Sequence, residues 1–550
     1  MNSSPLDKFY HWEKTTPDLV FLRQPARGKL IEYSFAQAGR EIRSIAAALD
    51  SLKLPSGSNI AILSKNCAHW IMADLAIWMS GHVSVPLYPN LTSTSIHQIL
   101  EHSEAKAIFI GKLDDYESQR TGIPDSLHKI SFALYGPEEG LAWNDLLKKH
   151  SPLEINVARG QKEITTIMYT SGTTGMPKGV IFSFEQMMWT ANAAIQALQE
   201  HHAFPLHPKL FSYLPLCHIA ERMITELVGV TLGATITFAD SLETFAKNLS
   251  DTQPHLFFGV PRIYAKFQEK ILEKLPSSRL KLFLGIPLLS SVLKSQLKKK
   301  LGLAEAKIVG VGAAPVPASL VQWYKSLGII VRDIYGMTEN GGFCTFNLLS
   351  VKMGSVGQPW PGVEVKLGEQ GEILTRHPGT MKGYYKEPAM TAEMFDHDGF
   401  LKSGDVGEFD QQNFLTITGR IKDIFKTDKG KYVAPTPIEM RLLSNPDIDQ
   451  VCVVGMGIPQ PIALVIPSPM GKAKSKEGII KSLSATLEEV NLGLESYEKL
   501  ETMVIMKSDW SIENGLLTPT LKVKRNEVEK IHLPKYSSWY HAKGLVVWEN

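Results

Sequence analysis

The sequence predicts an α/β fold of two or more domains, and three observations carry that reading. At 550 residues the chain is too long for one hydrophobic core, since such cores stop growing at about 250–300 residues. Over roughly the first 160 residues, apolar stretches of helical period alternate with short β-branched runs. After Gly354 the rhythm changes to short alternating strands punctuated by glycines, by Asp-Gly at 398–399 and by Asp-Gln-Gln-Asn at 410–413. That pattern predicts an antiparallel meander or small barrel.

Composition narrows the class. Apolar content of 44% with 21% charged residues is ordinary for a soluble globular protein. Fifty-eight Lys and Arg nearly balance 56 Asp and Glu, for a net charge of +2, so bulk electrostatics give no case for nucleic acid. Cys67, Cys217, Cys344 and Cys452 have no paired spacing, which favours a reducing compartment. No apolar leader stands at the N-terminus and no run reaches membrane-spanning length, so a cytoplasmic location is expected. The longest apolar run, 282–293, contains Pro287 and two serines, and Lys294, Lys298, Lys299 and Lys300 follow it. It reads either as a core segment running into a solvated helix end or as a surface for peripheral contact with an anionic bilayer.

In chain order, the periodicity predicts helices over 35–52 and 67–79 and strands over 59–63, 83–87 and 107–110. His97 and His102 read as surface or hydrogen-bonded side chains. Residues 164–169 form a β-branched, aromatic strand, 180–182 a second, and Ser183-Phe-Glu-Gln186 a capping box. Met187, Ala191, Ala194, Ile195 and Leu198 share one face of the helix that follows. Between the two strands lies Thr170-Ser-Gly-Thr-Thr-Gly-Met-Pro-Lys-Gly179, with three glycines, four hydroxyls and one lysine. Glycine lets backbone N–H groups approach an anion, hydroxyls add donors and Lys178 adds a mobile charge, so the loop suits a polyphosphate. It is not the P-loop, because Pro177 separates glycine from lysine and a strand rather than a helix follows.

His201, His202 and His207 lack a carboxylate or cysteine partner and read as a solvated loop. A strand ends at Pro215 and leaves His218 just past its tip, within reach of a pocket. Ile308-Val-Gly-Val-Gly-Ala-Ala-Pro315 lacks the third glycine and the acidic residue of a dinucleotide fingerprint; Gly312, Ala313 and Ala314 better fit a backbone passing close to a flat ring. The strand 331–335 ends in Tyr335, whose face can stack on a purine. Gly336 then gives a tight turn, Thr338 a hydroxyl for a phosphate oxygen, and Glu339 a hard oxygen ligand suited to Mg²⁺. Asp405 at a turn can accept from both hydroxyls of a ribose, although alone it reads as a turn aspartate. From 425 onward, Thr436-Pro437 predicts a helix start, and strands near 451–454, 463–466 and 502–506 with a helix near 476–490 make a small α+β unit. Lys522 sits in a basic segment, with Lys524 and Arg525 close by.

Taken in order, these motifs resemble the adenylate-forming (AMP-binding) superfamily over about residues 30–530. The carriers are Tyr-Thr-Ser-Gly-Thr-Thr-Gly-x-Pro-Lys-Gly, Tyr-Gly-x-Thr-Glu, Gly-Tyr-Tyr-Lys-x-Pro…Asp-Gly-Phe…Ser-Gly-Asp, Thr-Gly-Arg-Ile-Lys-Asp and Thr-Pro-x-x-Lys. Pro-Leu-x-His-Ile-Ala-Glu-Arg at 215–222 and Gly-Val-Pro-Arg-Ile-Tyr at 259–264 look especially like its long-chain acyl-CoA synthetases. The resemblance implies two α/β subdomains plus a small β-barrel (about 350–419) within residues 1–421, and a mobile α+β domain over 422–550.

The reaction implied is activation of a fatty acid by MgATP to an acyl-adenylate, then transfer to coenzyme A. Thr170, Ser171, Gly172, Thr173, Thr174, Gly175 and Lys178 would hold phosphates. Gly312, Ala313, Ala314, Asp333, Tyr335, Gly336, Asp405 and Arg420 would hold the rest of the nucleotide. Thr338, Glu339 (with Mg²⁺) and Lys522 would serve adenylation, with Lys524 an alternative lysine. His218 would lie beside the acyl pocket, Lys422 at the hinge, and Lys426 would face the site after domain rotation. Many members carry Gly where this chain has Leu521. Medium-chain or aryl ligases, an adenylate-only enzyme and a non-catalytic nucleotide-binding protein are the alternatives.

Overall fold

The structure, a computed structural model, describes residues 3–132, 134–135, 137–170, 177–512, 514–518 and 521–549. Among these, a nine-stranded and an eight-stranded sheet build the large N-terminal domain. The first sheet runs in the order Gln358–Pro359, Thr345–Phe346, Val331–Tyr335, Ile308–Gly312, Leu256–Gly259, Lys209–Ser212, Thr235–Phe238, Val20–Ala26, Lys29–Ser34. From Val331–Tyr335 to Val20–Ala26 every pairing is parallel. After Lys209–Ser212 the chain goes to Thr235–Phe238 on one side and then crosses back to Leu256–Gly259 on the other. The crevice beyond the carboxyl ends of these strands is therefore a topological switch point, where α/β sheets place ligands.

The second sheet runs Gly383–Tyr384, Lys178–Ser183, Ile164–Thr170, Val83–Leu87, Asn59–Leu63, Ala107–Ile110, His128–Ser131, Leu141–Ala142. Its members from Ile164–Thr170 onward are parallel, while Lys178–Ser183 returns antiparallel to Ile164–Thr170. The expected strands over 59–63, 83–87 and 107–110 stand at those positions. Helix Phe184–His202 begins with the expected capping box, in which the Ser183 N–H donates to Gln186 Oε1 at 2.8 Å. Helix Ala68–Met79, expected over 67–79, is buried on every side, polar His69 and Asp74 included. A helix apolar all round belongs inside a core.

Beyond Gly354, strands Glu364–Leu367, Glu372–Arg376, Leu401–Phe409 and Leu415–Arg420 form an antiparallel half-barrel in that order. The three-residue 3₁₀ turn Ile421–Asp423 leads into the smaller C-terminal domain. That domain has a hairpin, Phe425–Lys426 with Tyr432–Val433, and a sheet ordered Ile448–Val454, Ile462–Pro467, Met503–Ile505, Val546–Trp548. Helix Lys476–Leu492 covers one face through Ile479, Leu483, Leu487 and Val490. The helix expected to start at Thr436-Pro437 instead begins at Pro435, behind extended Ala434. The residue before a proline avoids the helical region, and Pro435 supplies the fixed φ of a first turn.

All four cysteines are buried and unpaired. Among the described residues no helix is long and apolar enough to cross a membrane. The run 282–293 falls in two short helices, Ser277–Leu284 and Pro287–Lys300, and most of its large apolar side chains are exposed rather than in the core.

Candidate functional site

The residues singled out by sequence converge at the carboxyl ends of the first sheet's strands. Ile308–Gly312 and Val331–Tyr335 lie side by side, with Gly312 opposite Ile334. A Cβ on Gly312 would fall 2.6 Å from the Ile334 carbonyl oxygen, so only glycine lets these strands finish so close together. Ala313 follows at φ +64°, a strained value for a residue with a side chain. A Cβ on Gly336 would lie 2.3 Å from the Gly342 carbonyl carbon, and that contact folds Thr338–Asn340 into a single 3₁₀ turn back across the strand end. Asp333 lies on the same strand opposite Val311, and burial pushes its carboxyl from 3.8 up to about 8.

Tyr335 fixes the next layer. Its hydroxyl donates to Asp405 Oδ2 at 2.6 Å, and Arg420 Nε donates to Asp405 Oδ1 at 2.5 Å. Asp405 and Arg420 face each other across Leu401–Phe409 and Leu415–Arg420, so the half-barrel's register sets the pair. The guanidinium's pKa is raised, chiefly by the Asp405 charge, and the Tyr335 phenol is raised by burial and then by Asp405.

Lys522 reaches the same cluster from the C-terminal domain. Its ammonium is held below the ordinary lysine value by loss of solvation and then by Arg420, with Asp405 opposing. Lys522 is exposed as a residue. Asp405 thus accepts from Tyr335 and Arg420, and a second cation, Lys522, lies near enough to feel both charges. The surplus positive charge suits an incoming anion.

His218 follows strand Lys209–Ser212 of the same sheet. Its Nδ1 accepts from the Ala220 N–H at 3.2 Å, capping the short helix Ile219–Glu221. Burial, and next the Lys522 charge, lower its pKa from 6.5 to about 4. Near neutral pH the ring is therefore uncharged, with its proton on Nε2, free to donate but not to act as a cation.

A third group joins the two sheets. Tyr384 donates to Glu339 Oε1 at 2.7 Å, and Lys178 Nζ lies 5.4 Å from the Tyr384 ring centre. Glu339 is buried, with its backbone carbonyl accepting from Met381 N at 2.8 Å. Tyr384 was part of a matched motif, but no role could be read for it, because it meets Glu339 only through the pairing of Gly383–Tyr384 with Lys178–Ser183. Thr170 pairs with Lys178 at the end of this hairpin. Ser171, Gly172, Thr173, Thr174 and Gly175 lie outside the described residues.

Other sequence expectations fall away from this centre. Lys426 is exposed and sits 5.5 Å from the ring centre of Tyr432 in its own hairpin. Lys422 is exposed in the connecting turn. Lys524 precedes helix Arg525–His532, whose Arg525 is anchored on Glu439 at 2.5 Å. His201 and His202 close helix Phe184–His202, and His202 and His207 are half-buried and bond the backbone carbonyls of Leu348 and Gly233, so they are not the solvated loop the sequence suggested; His102 bonds the Tyr169 hydroxyl.

Comparison with known proteins adds an independent line. A family model described as AMP-binding enzyme matches residues 9–385, and one described as AMP-binding enzyme C-terminal domain matches residues 422–543. The chain is 27% identical to a long-chain-fatty-acid–CoA ligase of Mycobacterium bovis, with 94% of each protein covered. It is also 27% identical to a long-chain-fatty-acid–CoA ligase of Xenopus laevis, covering 96% of this chain and 82% of that one. Among solved structures, the adenylation domain of a carboxylate reductase from Mycobacterium chelonae aligns with a TM-score of 0.82 at 20% identity, over 98% of this chain and 91% of that one. An anthranilate CoA ligase in complex with anthranoyl-AMP aligns with a TM-score of 0.78 at 19% identity, over 98% of each.

Proposed function

The chain belongs to the AMP-binding enzyme family, and from that premise we propose that it is an ATP-dependent ligase joining a long-chain fatty acid to coenzyme A. In the first half-reaction a carboxylate oxygen attacks the α-phosphorus of ATP. The bond to the bridging oxygen breaks, and pyrophosphate leaves with the electron pair. In the second, the thiol of coenzyme A loses its proton and attacks the acyl carbon. The acyl–oxygen bond breaks and AMP departs.

Negative charge on the phosphate oxygens spreads during the first step, so fixed donors and cations supply most of the stabilisation. The chain offers these in Lys178, the 170–179 loop, Thr338 and Lys522. Tyr335, Asp405 and Arg420 would orient the nucleoside, and Asp333 would present a neutral acid to it. Glu339 fits a magnesium ion, because one hard carboxylate beside substrate phosphates is a donor set such an ion commonly takes. Bound there, magnesium would neutralise phosphate charge. Neutral His218 would line the acyl side without adding charge. We place the division between the two domains at residues 421 and 422, with Lys422 as the hinge.

The observation that carries this reading is the Arg420–Asp405 pair at 2.5 Å beneath Tyr335, with Lys522 near enough for both charges to act on its ammonium. A protein that merely bound nucleotide would have no use for that lysine. The long-chain assignment is supported by the 215–222 and 259–264 segments and by the names of the relatives. Each buried methylene should add about 0.8 kcal/mol until the pocket is full. In a panel of acids with ATP and coenzyme A, kcat/KM should climb steeply from hexanoate towards palmitate. A panel in which acetate or benzoates outperform every acid longer than octanoate contradicts the reading.

A further inference from the structure

Helices Ser277–Leu284 and Pro287–Lys300 form a hairpin on the outside of the large domain. Its inner side is anchored: Leu280 and Ser290 are buried, and Leu284, Leu293 and Leu297 pack against the core around Tyr264 and Tyr324. A surface helix with such an inner stripe normally turns polar residues outward. Here the outward residues include Leu282, Phe283, Ile286, Leu288, Leu289 and Val292, with Leu282 at 64%, Leu288 at 84% and Val292 at 57% exposure. Five of the six fall within Leu282–Leu289, on either side of the turn at Gly285.

Charge is as uneven as polarity. From Lys274 to Ala304 there are seven Lys and Arg and not one Asp or Glu, in a chain whose whole net charge is +2. Arg279, Lys281, Lys299 and Lys300 are exposed. The charged residues of the hairpin are therefore all cationic, Arg279 and Lys281 close before the turn and Lys299 and Lys300 in the last turn of the second helix, which suits an anionic partner.

We propose that this hairpin is a membrane-docking surface, which inserts its apolar turn at the headgroup–acyl boundary of an anionic bilayer while the surrounding cations bind lipid phosphates. An exposed apolar turn on a helical hairpin whose charges are all Lys and Arg matches what an interface-bound segment needs. The inference stands on the surface alone and does not depend on which acid the enzyme activates.

The test is co-sedimentation of the full-length protein with vesicles of phosphatidylcholine alone and of phosphatidylcholine with phosphatidylglycerol. The wild type should bind the anionic vesicles at least tenfold more strongly, and high salt should weaken binding. Two variants separate the contributions: Leu282→Ser/Phe283→Ser/Leu288→Ser/Leu289→Ser, and Arg279→Gln/Lys281→Gln/Lys299→Gln/Lys300→Gln. Each should lose at least tenfold on anionic vesicles. Carboxylate-dependent ATP–pyrophosphate exchange without lipid should stay at the wild-type level. Absence of wild-type binding, or either variant binding like wild type, overturns the proposal. So does sedimentation velocity showing a dimer that the serine variant dissociates, since a second copy would then be the occupant.

Discussion

Leu521 adopts φ +62°, a left-handed value that side chains seldom hold, and the residue it delivers is Lys522. The family pattern often has Gly at that position, and the observed backbone explains why. A Cβ there costs on the order of 1 kcal/mol, and this chain accepts the strain beside a catalytic candidate. The Thr518 hydroxyl accepts from the Lys522 N–H at 3.0 Å and helps to hold the turn.

Asp333 allows a prediction on pH. Its folded pKa of about 8 stands above the ordinary 3.8, so the neutral form is the folded-state form across that window. The stability tied to that neutral form is complete below the lower value and is lost as pH rises through the upper one. If the protonated acid donates to bound nucleotide, AMP affinity of the wild type should weaken above about pH 8. Asp333→Asn keeps a donor at every pH. Calorimetric AMP titration should find it within about threefold of wild type at pH 7 and flat to pH 9; a tenfold loss at pH 7 would contradict the role. Motif spacing made the residue types at Tyr335, Glu339, Asp405 and Lys522 legible. The elevated Asp333 pKa and the Tyr384–Glu339 bond were not, because burial and cross-sheet distance arise only on folding.

At the scale of elements, the segment after His218 shows how the site is braced. Arg222–Leu227 winds as a π-helix, an irregularity common at functional sites. Arg222, fully buried, donates to Asp74 at 2.6 Å and lies between the Trp70 and Trp78 rings at 5.4 and 5.5 Å. Glu226 is 3.8 Å from Arg222, and burial followed by the Asp74 charge raises its pKa well above the ordinary carboxylate value.

Removing one partner strands the other in the core. Arg222→Ala or Asp74→Ala should lower stability by about 3–5 kcal/mol in urea unfolding. The double change Arg222→Met/Asp74→Leu should cost clearly less than either single change. Equal losses would mean that packing, not charge, holds the segment. The sequence showed strands and capping boxes well, because their signals are local. It did not show that Val20–Ala26 pairs with Thr235–Phe238, or that Val546–Trp548 closes the C-terminal sheet beside Met503–Ile505. Parallel partners far apart in sequence leave no periodic trace. What looked like a basic tail after Lys522 is in fact helix Arg525–His532 and this final strand.

At the scale of the whole molecule, the account is of one domain serving two half-reactions. In the observed arrangement Arg262 of the large domain pairs with Asp449 of the C-terminal domain at 2.9 Å. That domain holds Lys522 near Asp405 and Arg420, while Lys426 lies over Tyr432 in its own hairpin. For coenzyme A to attack, we expect the domain to turn about Lys422 and exchange these faces. Proline at Lys422 fixes φ and hinders that turn. Lys422→Pro and Lys426→Ala should both form adenylate at near wild-type rates and transfer it to coenzyme A at least tenfold more slowly, as read by single-turnover assays. Unchanged transfer in both would remove the rotation from the account.

The most direct measurement is Lys522→Ala assayed on each half-reaction separately. Carboxylate-dependent ATP–pyrophosphate exchange should fall on the order of 10²-fold or more, as when a charge-stabilising donor is lost. Chemically supplied acyl-adenylate and coenzyme A should still give thioester at close to the wild-type rate. If both half-reactions fall together, Lys522 supports a shared conformation rather than adenylation, and the two-face mechanism is wrong for this protein.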